Sequence, residues 1–164
     1  MARSLLIIYH TLTGGTLQMA QAAQQGAACE AQVQTRLLRA QEACAQDVLA
    51  AAGYVFATPE NLASMAGMMK DFFDRSYYDV IDRVAGRPYA SLICAGSDGT
   101  GAARQLERIA TGWRLKAVAE PLIVCTHAQT AEAILAPKQI ASGDLQRCRA
   151  LGEALASGLA LGIF

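Results

Sequence analysis

The six residues Thr11-Leu12-Thr13-Gly14-Gly15-Thr16 carry the clearest chemical signal in the sequence. Thr11, Thr13 and Thr16 offer hydroxyl donors, and the two glycines let the backbone come close to a ligand. A helical pattern begins directly after them, so the free N–H groups and dipole of a helix amino end face the same spot and favour an anion. The turn holds no lysine or arginine. A phosphate would therefore be held by neutral donors in a preformed nest, which suits a monoester. An ordinary helix cap is the plain alternative for a Thr/Gly turn taken alone. Two more polar turns recur later, Thr58-Pro59-Glu60-Asn61 and Gly96-Ser97-Asp98-Gly99-Thr100-Gly101. Asp98 can bond a ligand or cap the helix after it. Glu60 is either a ligand contact or an exposed loop carboxylate.

Other chemistries lack their signatures. No G-x-x-x-x-G-K-[ST] phosphate loop is present, and the first turn does not supply the G-x-G-x-x-G of a dinucleotide site. No G-x-S-x-G elbow sets up a nucleophile. Two histidines and five cysteines without a C-x-x-C pair do not give zinc-ligand spacing. The cysteines read as reduced, mostly buried thiols of a cytoplasmic protein. His10 and His127 fall at strand ends, where either could touch a bound cofactor. With 14 Lys+Arg against 14 Asp+Glu the net charge is zero, which excludes the basic footprint of a dedicated nucleic-acid binder. The apolar run Leu5–Tyr9 is too short for a secretory signal core. Leu151–Phe164 is too short to span a membrane.

The elements that must position these turns follow from hydrophobic patterning. Leu5–Tyr9 is a continuous apolar run, the mark of a parallel strand buried on both faces. Met19, Ala22, Ala23, Gly26 and Ala27 fall at helical spacing, and Gln32–Leu38 reads as a second strand. Gln46–Ala52 is predicted as a short helix and Tyr54–Ala57 as a buried strand stopped at Thr58-Pro59. A helix is predicted over Ser64–Arg75, with Met65, Met68, Met69 and Phe72 as its core stripe. Tyr89–Ala95 is the next strand. A helix over Ala102–Thr111 buries Leu106, Ile109 and Ala110. Leu115–Cys125 is a last strand whose Pro121 suits a sheet edge. Thr126–Gly143 is irregular or briefly helical, and a final helix covers Asp144–Leu161. Strands alternating with helices make an α/β fold, a doubly wound parallel five-stranded sheet of order 2-1-3-4-5 in a three-layer sandwich. Residues 1–164 are expected to form a single domain. Ligands of such sheets bind beyond the carboxyl ends of the strands, and all three polar turns fall there.

The motifs resemble a known family. TLTGGT is similar to the [ST]-x-T-G-x-T phosphate turn of flavodoxins, and TPENLASMAGMMKDFFDR resembles the second flavin loop and following helix of flavodoxin-like oxidoreductases. AGSDGTG resembles the third loop of tryptophan-repressor-binding-protein-like quinone reductases. The resemblance implies that Thr11, Leu12, Thr13, Gly14, Gly15 and Thr16 hold the phosphate of FMN. It implies that Thr58, Pro59, Glu60, Asn61 and Leu62 lie along the flavin ring, with Gly96, Ser97, Asp98 and Gly99 closing the other side. The expected activity is reduction of a quinone or similar acceptor with NADH or NADPH as electron donor. A single-electron carrier and a flavin-free interaction module are the alternatives.

The chain departs from the family pattern in its loops. Neither flavin loop carries the aromatic residue that flanks the ring in electron-carrier flavodoxins, and Leu62-Ala63 stands where the quinone reductases have an aromatic-Gly pair. One flavin face would then be open in a monomer. A homodimer or homotetramer is expected, with Tyr77, Tyr78 or Trp113 as aromatic contacts from a neighbour. Tyr77 and Tyr78 are otherwise core or rim packing, and Lys70 and Asp74 form an ordinary surface pair.

Overall fold

A computed structural model describes residues 3–164. Strand β1 (Arg3–Tyr9) alternates its side chains between two apolar layers. Leu5, Ile7 and Tyr9 enter one core, Leu6 and Ile8 the other. That is why its sequence is apolar at every position from Leu5 onward. β1 lies between β2 (Val33–Arg39) and β3 (Gly53–Asn61), with Ile7 opposite both Leu37 and Val55. β5 (Pro88–Ala95), buried along its whole length, flanks the far side of β3. Beyond it run β6 (Lys116–Ala117) and β7 (Leu122–Cys125), both parallel to β5. Taking β6 and β7 as two pieces of one edge position, the order is β2-β1-β3-β5-β6/β7, which for five parallel positions is the expected 2-1-3-4-5.

Helices α1 (Gly15–Ala27) and α6 (Ser142–Leu161) cover one sheet face over Leu5, Ile7, Val55 and Leu92. α2 (Ala45–Ala50), α3 (Gly67–Val80) and α4 (Thr100–Gly112) cover the other. There Phe56, Phe72, Phe73 and Trp113 form an aromatic cluster with ring centroids 5.0–6.4 Å apart. Such pairs add about 0.5–1.5 kcal/mol each beyond their burial.

Four expectations are corrected. β3 does not stop at Thr58-Pro59 but continues to Asn61. Ala57 takes the last rung against β1, accepting from the His10 N–H at 3.0 Å, and Thr58 and Pro59 pair only with β5. Since pairing direction alternates along a parallel strand, the missing Pro59 N–H faces the side where β1 has ended and no ladder bond is lost. Second, Ser64 and Met65 belong to a short return strand, β4 (Ser64–Met65), antiparallel to β3. The helix therefore starts at Gly67, and Met68 lies exposed instead of in the stripe. Third, the edge strand is interrupted between Ala117 and Leu122. Fourth, the thiols are divided: Cys94 and Cys148 are buried, Cys125 is half-buried, and Cys29 and Cys44 are exposed. Thr126–Gly143 contains one short helix, α5 (Ala131–Leu135). No helix among the described residues is long and apolar enough to cross a membrane.

Candidate functional site

The first polar turn folds as a helix amino end that its own side chains leave open. Gly14, the N-cap of α1, sits at φ 92°, a left-handed conformation that favours glycine. The Thr11 hydroxyl accepts from the Gly14 N–H at 3.0 Å and fixes the turn. No side chain caps α1. The first backbone bond of α1 runs from Gln18 N–H to Gly14 C=O at 3.2 Å, so the N–H groups of Gly15, Thr16 and Leu17 are free for an anion. A cavity of about 90 Å³ opens in front of them, lined by Thr11, Thr13, Gly15 and Thr16 from the turn. A Cβ on Gly15 would come within 2.8 Å of Cys94 Sγ and 3.4 Å of Ile140 Cδ1. Glycine here gives the backbone its close approach to the floor and wall. Burial pushes the Cys94 thiol up in pKa, so its sulfur stays protonated and adds no negative charge beside an anion.

The third polar turn ends in a second helix with a left-handed glycine N-cap, Gly99 at φ 90°. This amino end is filled by the protein itself. Glu60 accepts from the Gly99 N–H at 2.9 Å with Oε1 and from the Ala102 N–H at 3.0 Å with Oε2. The carboxylate thus ties the second polar turn to α4 and takes the place an anion would occupy there. On the same hairpin, Gln105 Oε1 accepts from Ser64 Oγ at 2.7 Å and Met65 N–H at 2.8 Å. Between these anchors the chain reverses at Leu62 and Ala63, both at positive φ (51° and 61°). Non-glycine residues in that region store strain. Leu62 is fully exposed at the hairpin tip.

A segment of the loop after β7 closes the cavity from a third side. Lys138 N–H donates to Thr13 C=O at 2.8 Å, and Lys138 C=O accepts from Gln18 Nε2 at 2.7 Å. Gln18 Oε1 in turn accepts from Ile140 N–H at 3.0 Å. One glutamine on α1 therefore clamps the residues around Lys138 over the turn.

Of the residues expected from the sequence, Thr11, Leu12, Thr13, Gly15, Thr16, Pro59, Glu60, Asn61 and Gly96 meet at this cavity. Gly14 is not in the lining and acts through the left-handed turn it makes as N-cap of α1. Thr58 is buried and occupied locally, accepting from Ala66 N–H at 3.1 Å and donating to Pro59 C=O at 3.0 Å. Ser97 and Asp98 are exposed, and Asp98 bonds the Thr100 hydroxyl at 2.8–2.9 Å. Gly99 supports the third turn against Ile123 and Ala95. Sequence reasoning missed Cys94, Ala95, Thr126, Ala128, Ile134 and Lys138. The strand-end rule reaches Cys94 and Ala95, but no spacing marks the others.

The remaining candidates lie elsewhere. His10 is half-buried beside Gln41 (3.5 Å), and desolvation lowers its pKa, with Gln41 opposing and Arg39 assisting. His127 is exposed, at φ 59°. Trp113 is 1% exposed within the aromatic cluster, so it cannot serve as a contact from a neighbouring chain. Tyr78 is exposed and packs edge-on against Tyr77 on α3. No group of three or more metal-ligating side chains converges among the described residues.

A phosphate monoester fits this arrangement: an uncapped helix end, hydroxyls around it, and a cavity far smaller than the roughly 300–1,000 Å³ of whole-ligand pockets. The bulk of a larger ligand would lie outside it, toward Pro59, Asn61 and Gly96.

Comparison with known proteins gives concordant results. The profile of the NADPH-dependent FMN reductase family matches residues 16–130. A flavodoxin of Aquifex aeolicus is 35% identical over 96 residues, 58% of this chain and 50% of that protein. The chain thus spans about half the length of that curated relative. Among solved structures, a flavodoxin from the domain Archaea superposes with a TM-score of 0.78 at 16% identity, over 96% of this chain and 99% of the other. A flavodoxin, WrbA-like protein from Agrobacterium tumefaciens does so with a TM-score of 0.74 at 16% identity, over 97% and 98%.

Proposed function

The chain belongs to the NADPH-dependent FMN reductase family; from that premise we propose that it is a flavodoxin-like oxidoreductase whose domain, residues 1–164, binds FMN at the α1 turn and passes electrons from NADH or NADPH to a quinone or similar small acceptor. The observation that carries this is the contrast between the two glycine-capped helix ends. The α4 end is neutralised by Glu60, whereas the α1 end is left open onto a phosphate-sized cavity. Thr11, Leu12, Thr13, Gly14, Gly15 and Thr16 would hold the phosphate. Thr58 to Leu62 and Gly96 to Gly99 would border the ring, Glu60 by keeping the hairpin against α4. FMN, when bound, supplies the hydride and electron chemistry. The chain's part is to bind it, orient it and leave one side open for donor and acceptor.

The exposed rim of Leu12, Leu62, Met68 and Ile134 supports a homodimer or a pair of dimers as the working unit, because such apolar surface favours association. A cytoplasmic location goes with five free cysteines. The test is a steady-state assay of FMN-loaded protein with each nicotinamide and several quinones. Turnover with either nucleotide is expected. No turnover with both, together with fast reduction by a separate reductase protein, supports the electron-carrier alternative, which the name of the Aquifex relative favours.

A further inference from the structure

We propose that Lys138 supplies the positive charge that the phosphate turn itself lacks, and so makes the site discriminate a phosphorylated flavin from an unphosphorylated one. The inference rests on the FMN reading above. The turn contains no cation, and Lys138 and Glu60 are the charged residues lining the cavity. Glu60 is already satisfied by the α4 amino end. Lys138 comes from a segment remote in sequence but pinned over the turn on both sides of its Cα, through Thr13 and Gln18. Its Cβ lies 3.4 Å from where a Gly15 side chain would begin.

The ammonium is held in reserve. Nζ donates to Ala133 C=O at 2.8 Å, Ile134 C=O at 2.7 Å and Ala136 C=O at 2.6 Å. Ala133 and Ile134 lie in the last turn of α5 and Ala136 is its C-cap, so the ammonium sits at the negative end of that short helix. The backbone is fixed while the stem has four rotatable carbons. A phosphate monoester carries about −1.5 to −2 charges at neutral pH. It would compete for Nζ against neutral carbonyls, and a charge-assisted bond is the stronger one. Carbonyls released by that move lie at an exposed helix end, where water takes over.

Binding of FMN and of riboflavin separates this role from simple packing. Calorimetric titrations would use the wild type, Lys138→Met and Lys138→Arg, at low and high ionic strength. Lys138→Met is expected to weaken FMN by about 10- to 100-fold and to leave riboflavin within about twofold. The wild-type FMN preference is expected to shrink with salt, and Lys138→Arg to keep most of it. A Met variant that binds FMN like the wild type, or loses both flavins equally, overturns the assignment. So does a wild-type FMN-to-riboflavin ratio that ignores salt, a readout that needs no variant to fold. A wild type that binds neither flavin overturns the FMN reading itself, and this inference with it.

Discussion

At the residue scale, two side chains of opposite charge at one cavity are both held by the backbone. Glu60 and Lys138 both line the cavity, but each is bonded to backbone of the opposite polarity: a carboxylate to N–H groups, an ammonium to carbonyls. Replacing Glu60 by Ala leaves Gly99 and Ala102 N–H groups without their partner. The expected cost is about 1–2 kcal/mol, read from urea unfolding, together with weaker flavin binding from a loosened hairpin. An unchanged unfolding midpoint would show that Glu60 does not cap α4 in solution. His10 gives a pH dependence. Its folded pKa lies below the ordinary 6.5 because burial disfavours the imidazolium. The unfolded chain therefore binds more protons once pH drops below that value. The stability present above pH 6.5 is lost as pH falls through the folded pKa. His10→Gln should reduce the loss of stability between about pH 7.5 and pH 5.5, as measured by unfolding at both. An identical loss in the variant would remove His10 as a cause.

At the scale of elements, what could be read from sequence was what is local. β1 and the helix after TLTGGT declare themselves through contiguous apolar and i, i+3, i+4 patterns. The β3–β4 hairpin did not, because Leu62-Ala63 carries none of the Asn-Gly or Asp-Gly signal that marks a two-residue reversal. Pro59 read as a strand stop because sequence shows the missing donor but not that β1 has already ended on that side. The segment over the turn was invisible for a further reason. α5 buries none of its residues, so it leaves no amphipathic period, and its link to Thr13 and Gln18 joins residues more than a hundred positions apart. Trp113, expected as a contact from a neighbouring chain, belongs to the core because the end of α4 keeps helical backbone angles and Trp113 continues the buried face of Leu106 and Ala110. The pairing of α1 with α6 makes the sharpest prediction here. A Cβ on Gly26 would lie 1.9 Å from Arg149 C=O, and one on Gly152 would lie 2.0 Å from Ala23 C=O. The two helices touch backbone to backbone. Gly26→Ala and Gly152→Ala should each destabilise by about 1–3 kcal/mol or more, although Ala is the better helix former. Thermal unfolding that shows either variant as stable as the wild type would contradict this packing.

For the whole molecule, the polar turns and some of the exposed apolar side chains share one end of the sheet, while Phe164 lies beside Arg3 and Pro88 at the other. Leu12 sits on the phosphate turn, Leu62 on the hairpin tip, and Ile134 and Leu135 on α5. Light scattering over a dilution series should find at least a dimer, and Leu62→Asp with Leu12→Asp should shift it toward monomer. A wild type that stays monomeric with full FMN affinity and activity would remove association from the account. The central claim, that the open α1 end holds the phosphate of FMN, is tested most directly by calorimetric titration of FMN into wild type and Gly14→Val. Space for the added side chain exists, with the nearest neighbour 3.8 Å away, but φ is +92°. The substitution therefore strains the turn and not the core. We predict one FMN bound per chain in the wild type and at least about tenfold weaker binding in the variant, consistent with a backbone strain of order 1–3 kcal/mol. Equal affinity in the two proteins would contradict the assignment.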